Sequence, residues 1–140
     1  MQDVAADRQT DRADVTERAD LVLPGQANHY GTLFAGQALS LMASAAFTAA
    51  SRHARHDMVL TGVDTLRLDA PVPVGSLFVT QARLQRRGRS SVTIAVTGIC
   101  ENPRSGHRTQ VAQGQFRLVA VDPDGRPQPI TDRSSADENP

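Results

Sequence analysis

The sequence predicts an α+β domain, with one long helix packed against an antiparallel sheet. Two observations carry that prediction. The stretch from residue 34 to about 53 repeats at helical spacing, and four runs of alternating apolar residues follow it, separated by short turn signals. A shorter run at 16–23 supplies a fifth strand ahead of the helix.

Residues 1–15 are charged and lack periodicity, and so read as a frayed tail. The strand at 16–23 stops where Pro24 and Gly25 break it. A polar loop then runs to Leu33. In the helix, Gln37, Ser40, Ser44, Thr48 and Ser51 recur at spacings of three or four, and Ala, Leu, Met and Phe fill the rest. So narrow a polar stripe, on a helix apolar nearly all round, predicts that it is mostly buried rather than lying on a surface. Arg52, His53, Arg55 and His56 suit its C-terminus, where cations meet the negative end of the dipole. Strands follow at 58–68, 76–86, 91–101 and 109–121, broken by turns rich in Pro, Gly, Asn and Asp. From Pro129 the chain reads as a polar tail, with 131–140 disordered, leaving one domain over 16–130. One sheet covered by one helix leaves an edge and an apolar flank open, which predicts at least a dimer.

Composition narrows the function. Hydrophobic residues make up 39% and charged residues 21%, as in an ordinary globular chain. Fifteen basic residues, all Arg, balance 15 acids, which argues against a general nucleic-acid or membrane-surface role. The single Cys100 excludes an internal disulfide and reads as a buried, inert thiol. His29, His53, His56 and His107 lack metal-ligand spacing, so no metal is expected. No apolar run approaches the roughly 18 residues of a membrane span, and the start carries no signal core. A cytoplasmic protein is the expectation.

The stretch with chemical promise is the polar loop that feeds the helix. A helix N-terminus offers unpaired N–H groups and a positive dipole end. The runs NHYGTLFAGQALSLMASAAFTAASRHA, DTLRLDAPVPVGS, GRSS and FRLVAVDPDGRP, in that order, resemble the hotdog-fold acyl-CoA thioesterases of the cytosolic acyl-CoA hydrolase type. The likeness covers about residues 16–130. It implies a five-stranded antiparallel sheet wrapped around a central helix, and dimers whose sheets become continuous, some assembled further into hexamers as trimers of dimers. It also implies active sites shared across the dimer interface. The reaction it implies is hydrolysis of acyl-CoA to free acid and CoA, with no cofactor.

Residue by residue, the resemblance makes Asn28 the group that positions water or the thioester; read alone, it is a turn residue bonding nearby backbone. Gly31 and Gly36 match family glycines, and Gly36 sits where an N–H could polarise the thioester carbonyl, or where close packing excludes a side chain. Phe34 joins Gly31 among the implied substrate-binding residues. Gly88, Arg89, Ser90 and Ser91 match the turn that helps hold CoA. Arg86, Arg87 and Arg89 offer guanidinium forks to its phosphates, or are a solvated hairpin end. Asp64 is an acid where the family often has one, or an exposed strand residue.

The chain also departs from the family. Ala35 replaces the first of a Gly pair, and Gln26 and Ala27 differ from the usual residues before the Asn. Ala43 stands where the family has the Asp that serves as base or nucleophile, and a methyl group takes no proton from water. His29, Asp64 and Ser44 are the possible replacements. The alternatives are a protein that binds or senses acyl-CoA without hydrolysing it, and an engineered replacement of the Asp at Ala43. Ser40 and Ser44 lack the surroundings of a nucleophile elbow.

Overall fold

The structure, a computed structural model, describes residues 15–131. The two expected tails lie outside the described residues, except that Val15 already opens a strand and Thr131 is hydrogen-bonded. The elements are β1 (Val15–Leu21), α1 (Ala35–Ala54), β2 (Asp57–Leu68), β3 (Leu77–Arg87), β4 (Ser91–Glu101) and β5 (Arg108–Val121), each within a residue or two of its expected bounds. All the strand pairs are antiparallel, and the five-stranded sheet runs β1-β3-β4-β5-β2.

Alternation in the strands builds the core. Phe78 and Ala82 of β3, Val92, Ile94 and Val96 of β4, and Phe116, Leu118 and Ala120 of β5 are buried with Ala38, Met42, Ala45, Ala46, Ala49 and Ala50 of α1. The alanines let the helix axis lie close to the strands, since their side chains end at Cβ. At Gly98 a Cβ would fall 2.8 Å from the Phe78 ring and 2.9 Å from Ala112, so this row of β4 has no room for a side chain.

The expectation of a mostly buried helix holds for one face only. The sheet covers one side of α1 only, leaving Phe34 at 54% and Phe47 at 48% exposed. Gln37, Ser40 and Ser44 are exposed as well. Ser44 is met from β1, where Arg18 Nη1 donates to its Oγ at 3.2 Å while Arg18 Nε pairs with Asp20 at 2.9 Å. The outer strand β2 is also open. Val59, Leu60, Leu66 and Leu68 are exposed on it, and two register shifts interrupt its pairing with β5. At the second shift Thr65 has φ 49°, a backbone region that β-branched residues seldom enter.

The C-terminal end of α1 is closed. Arg55 turns left-handed at φ 57° and returns its N–H to Ser51 O at 2.8 Å. Residues 127–131, expected in part as a tail, fold back over this end. Gln128 N–H donates to Ala120 O and Ile130 N–H to Arg89 O, both at 2.9 Å. Gln128 Nε2 lies 2.9 Å from His56 Nδ1, and the Thr131 N–H donates to His56 Nε2 at 3.3 Å. Ile130 is buried and caps the core. A single apolar residue in a polar run carries no period, which is why the sequence pattern hides it.

Candidate active site

The loop before α1 is fixed by its own polar groups. Gln26 Oε1 accepts the Leu23 N–H at 3.0 Å and closes the short turn Pro24–Gln26. Asn28 Oδ1 accepts three hydrogen bonds, from Tyr30 N (2.9 Å), Thr32 N (3.2 Å) and Thr32 Oγ1 (3.1 Å). Gly31 supplies the left-handed bend at φ 76°, donating its N–H to Asn28 O and accepting the Val74 N–H. Leu33 N–H reaches Val72 O at 2.8 Å, so the loop is joined to the segment between β2 and β3.

The turn reading of Asn28 is therefore satisfied by its carbonyl oxygen alone. Its amide Nδ2 makes no hydrogen bond among the described residues. The helix that follows begins without a cap. Phe34 offers no side-chain bond, the first turn carries no acid, and the first bond to the helix is Ala38 N–H to Phe34 O at 3.0 Å. The N–H groups of Ala35, Gly36 and Gln37 are thus left without partners among the described residues.

A cavity of about 290 Å³ lies against this open helix end. Asn28, Thr32, Ala35 and Asp69 line it beside the apolar walls of Leu33, Leu68, Val72 and Phe78. Neutral donors, a positive dipole end and apolar walls together suit a polarised carbonyl on an apolar chain.

Of the residues singled out from sequence, the structure brings Asn28 to this cavity, with Gly31 shaping the loop behind it. On the helix it is Ala35 that lines the wall. Gly36 lies beside the Phe34 ring, where an added Cβ would approach to 2.7 Å. Ala43 is partly buried against the core and does not line the cavity of its own chain. It lies eight residues beyond Ala35, about 12 Å along the helix axis. His29 is exposed and stacked on Tyr30 with ring centroids 3.9 Å apart, away from the cavity lining. Asp64 pairs with Gln115, one place on from the core-facing pair Val63 and Phe116, so it occupies the sheet face turned away from α1.

The arginine hairpin stands elsewhere. Gly88 N–H donates to Ser91 O at 2.8 Å, and a Cβ on Gly88 would meet Ser91 Oγ at 2.8 Å. Arg87 Nη2 donates to Ile130 O at 3.3 Å, Ser90 O accepts the Ala120 N–H, and Arg86 and Arg89 are exposed. These contacts put the hairpin at the C-terminal end of α1, a helix of 20 residues and so about 30 Å long. Within one chain, the expected carbonyl-binding and CoA-binding groups lie at opposite ends of the helix.

Sequence reading missed Asp69. It lines the cavity with Asn28, and its Oδ1 accepts from Arg67 Nε at 3.2 Å, with Arg67 Nη2 at 3.1 Å. The available signal was an acid two residues before Pro71, where β2 has to end. Among the described residues no group of three or more His, Cys, Asp or Glu is placed to hold a metal ion. No helix among them is long and apolar enough to cross a membrane.

The arrangement defines a class: a helix held in an antiparallel sheet, with its bare N-terminus opening on a small apolar-walled cavity. Residues 30–107, more than half of the chain, match the model of the thioesterase superfamily. The acyl-CoA thioester hydrolase YciA of Salmonella typhimurium is 31% identical over 125 residues, which cover 84% of this chain and 94% of that protein. The crystal structure of an acyl-CoA hydrolase from Agrobacterium tumefaciens superposes with a TM-score of 0.78 at 37% identity. That match covers 84% of this chain and 46% of the other, so this chain spans about half the length of the Agrobacterium protein. An apo hexameric acyl-CoA thioesterase superposes at 0.81 with 27% identity, over 90% of this chain and 84% of that one. The fold is the hotdog fold. The chain belongs to the thioesterase superfamily.

Proposed function

We propose that this protein hydrolyses acyl-CoA thioesters to free acid and CoA. The observation that carries the reading is the pairing, on one cavity, of the unpartnered Asn28 amide with an uncapped helix N-terminus. When a nucleophile adds to the thioester carbonyl, its oxygen becomes an anion, and fixed donors aimed there stabilise that charge more than the ground-state carbonyl. Leu33, Leu68, Val72 and Phe78 offer the acyl chain an apolar seat. The likeness to named hydrolases favours turnover over binding alone. The reaction consumes only water and needs no cofactor. Its compartment under this reading is the cytoplasm, where acyl-CoA and a free Cys100 thiol are both at home.

A second copy of the chain completes the site. The open edge of β2, with Val59, Leu60, Leu66 and Leu68 exposed, and the uncovered Phe47 offer an apolar surface of the kind that dimers bury. Antiparallel pairing of β2 with its partner sets the start of one strand beside the end of the other. The start adjoins the arginine hairpin through Met58, Ala120 and Ser90; the end, Leu68, is a wall of the cavity. One protomer's Arg86, Arg87 and Arg89 are then available to the phosphates of a CoA whose thioester lies in the other protomer's cavity. Trimers of such dimers are the expected further assembly, and a similar acyl-CoA thioesterase is hexameric.

The test is release of free CoA thiol from acyl-CoA substrates of increasing chain length, with sedimentation measured alongside. Thiol release and a species of at least dimer mass are expected. CoA binding by calorimetry without release at any chain length would make this an acyl-CoA-binding protein instead.

A further inference from the structure

We infer that Asp69 is the general base of the hydrolysis, working from the segment after β2 where position 43 offers only a methyl group. This rests on the acyl-CoA hydrolase reading. Asp69 and Asn28 line the same cavity, so an acid and an amide residue border one ligand volume within a single chain. The two N–H contacts from Arg67 both fall on Asp69 Oδ1. Oδ2 makes no hydrogen bond among the described residues and is left to accept from water.

The backbone beneath this carboxylate is held firmly. Asp69 N–H donates to Val111 O at 2.7 Å, directly after the Leu68–Ala112 strand pair, and three residues on Val72 O accepts the Leu33 N–H. At 41% exposure the side chain is reachable by solvent without lying loose on the surface. The other described acids are occupied or distant. Asp20 is ion-paired with Arg18 and does not line the cavity, Glu17 and Glu101 pair with Arg108, Asp122 closes a turn, and Asp64 lies on the far sheet face. Asp57 begins β2 at the opposite end of α1, and Asp124 belongs to the turn after β5.

The step balances with water as the sole co-reactant. Asp69 Oδ2 takes a proton from water as the water oxygen bonds to the thioester carbon, and the carbonyl π pair moves onto oxygen. The resulting oxyanion is met by Asn28 Nδ2 and the free N–H groups at the start of α1. As the carbonyl re-forms, the C–S bond breaks and the sulfur takes the proton back from Asp69. The products are the free acid and CoA thiol, and the carboxylate is restored. Arg67 serves as a positioning residue.

The test compares Asp69→Asn and Asp69→Glu with the native chain in the thiol-release assay, with calorimetric CoA binding and thermal melting as controls. Asp69→Asn should lower kcat by about 10²–10⁴-fold while CoA binding stays within about twofold. Asp69→Glu, which keeps a carboxylate, should be clearly faster than the Asn variant. An Asn variant turning over at the native rate, or a Glu variant no faster than the Asn variant, overturns the assignment to Asp69 and leaves the hydrolase reading standing. A native chain that hydrolyses no acyl-CoA overturns the hydrolase reading itself.

Discussion

The two ends of α1 are built from the same backbone and finished in opposite ways. At the C-terminal end, Arg55 folds back to Ser51 O, His56 is held by Gln128 and Thr131, and Ile130 seals the core. At the N-terminal end, no side chain caps the helix, no acid lies in the first turn, and the N–H groups of Ala35, Gly36 and Gln37 have no partner among the described residues. A protein seeking only stability would cap both ends, since a lost cap typically costs about 1 kcal/mol. The uncapped end gives up that stability and keeps donors free for an incoming anion. The difference separates a structural pole from a chemical one, and it predicts that mutations at the two ends will register in different measurements.

Among variants at the two ends of α1, the largest effect is expected from Asn28→Ala, which removes the free amide donor and the acceptor that organises the loop. Thiol release should fall by about 10²–10³-fold in kcat/KM. Asn28→Asp keeps the Oδ1 acceptor but exchanges the amide donor for an anionic oxygen; near-native activity there would assign Asn28 wholly to the loop. Ala35→Pro comes next. Proline is tolerated at the first helical position, and Phe34 already has the extended ψ of 137° that precedes a proline comfortably. This variant deletes one N–H without unfolding the helix, and kcat should drop about 10²-fold with an unchanged Tm. An unchanged kcat would shift the donor role to the N–H of Gly36 or Gln37.

At the other pole, Ile130→Ala should cost about 2–4 kcal/mol of stability in denaturant unfolding, with kcat at 25 °C preserved. A fall in kcat without loss of stability would break the separation of the two ends. The smallest effect is expected from Arg87→Ala. KM for acyl-CoA should rise a few-fold, and the rise should fade at high salt, where screening weakens a phosphate contact.

Much of the fold was legible because burial repeats with strand and helix periods. Val92, Ile94 and Val96 alternate inward along β4, and the alanines of α1 mark the face that packs on them. Asn28 could be read in two ways, and the side chain divides them: its oxygen serves the turn, while its amide remains available. Asp69 was not legible as a site residue. The cavity joins segments near residue 30 and near residue 70, and that juxtaposition comes from the Leu33–Val72 and Gly31–Val74 hydrogen bonds rather than any local pattern. The exposure of Phe47 and the burial of Ile130 escaped for a related reason. Hydrophobicity says that a residue seeks cover; it does not say which segment supplies it.

The irregular outer strand limits how far the sheet can grow. An exposed apolar edge invites further strands, and repeated addition of identical chains would give a fibre rather than a counted assembly. In the proposed dimer, two-fold pairing would use up the β2 edge in one event, because each copy presents the same strand to the other. The sheet's remaining border is β1, whose Glu17, Arg18 and Asp20 place charges along it. Its bulges also give β2 a curved contour that a flat, foreign strand would match poorly. Under the proposed pairing, self-recognition at one border and charge at the other would let the protein carry an apolar edge without polymerising.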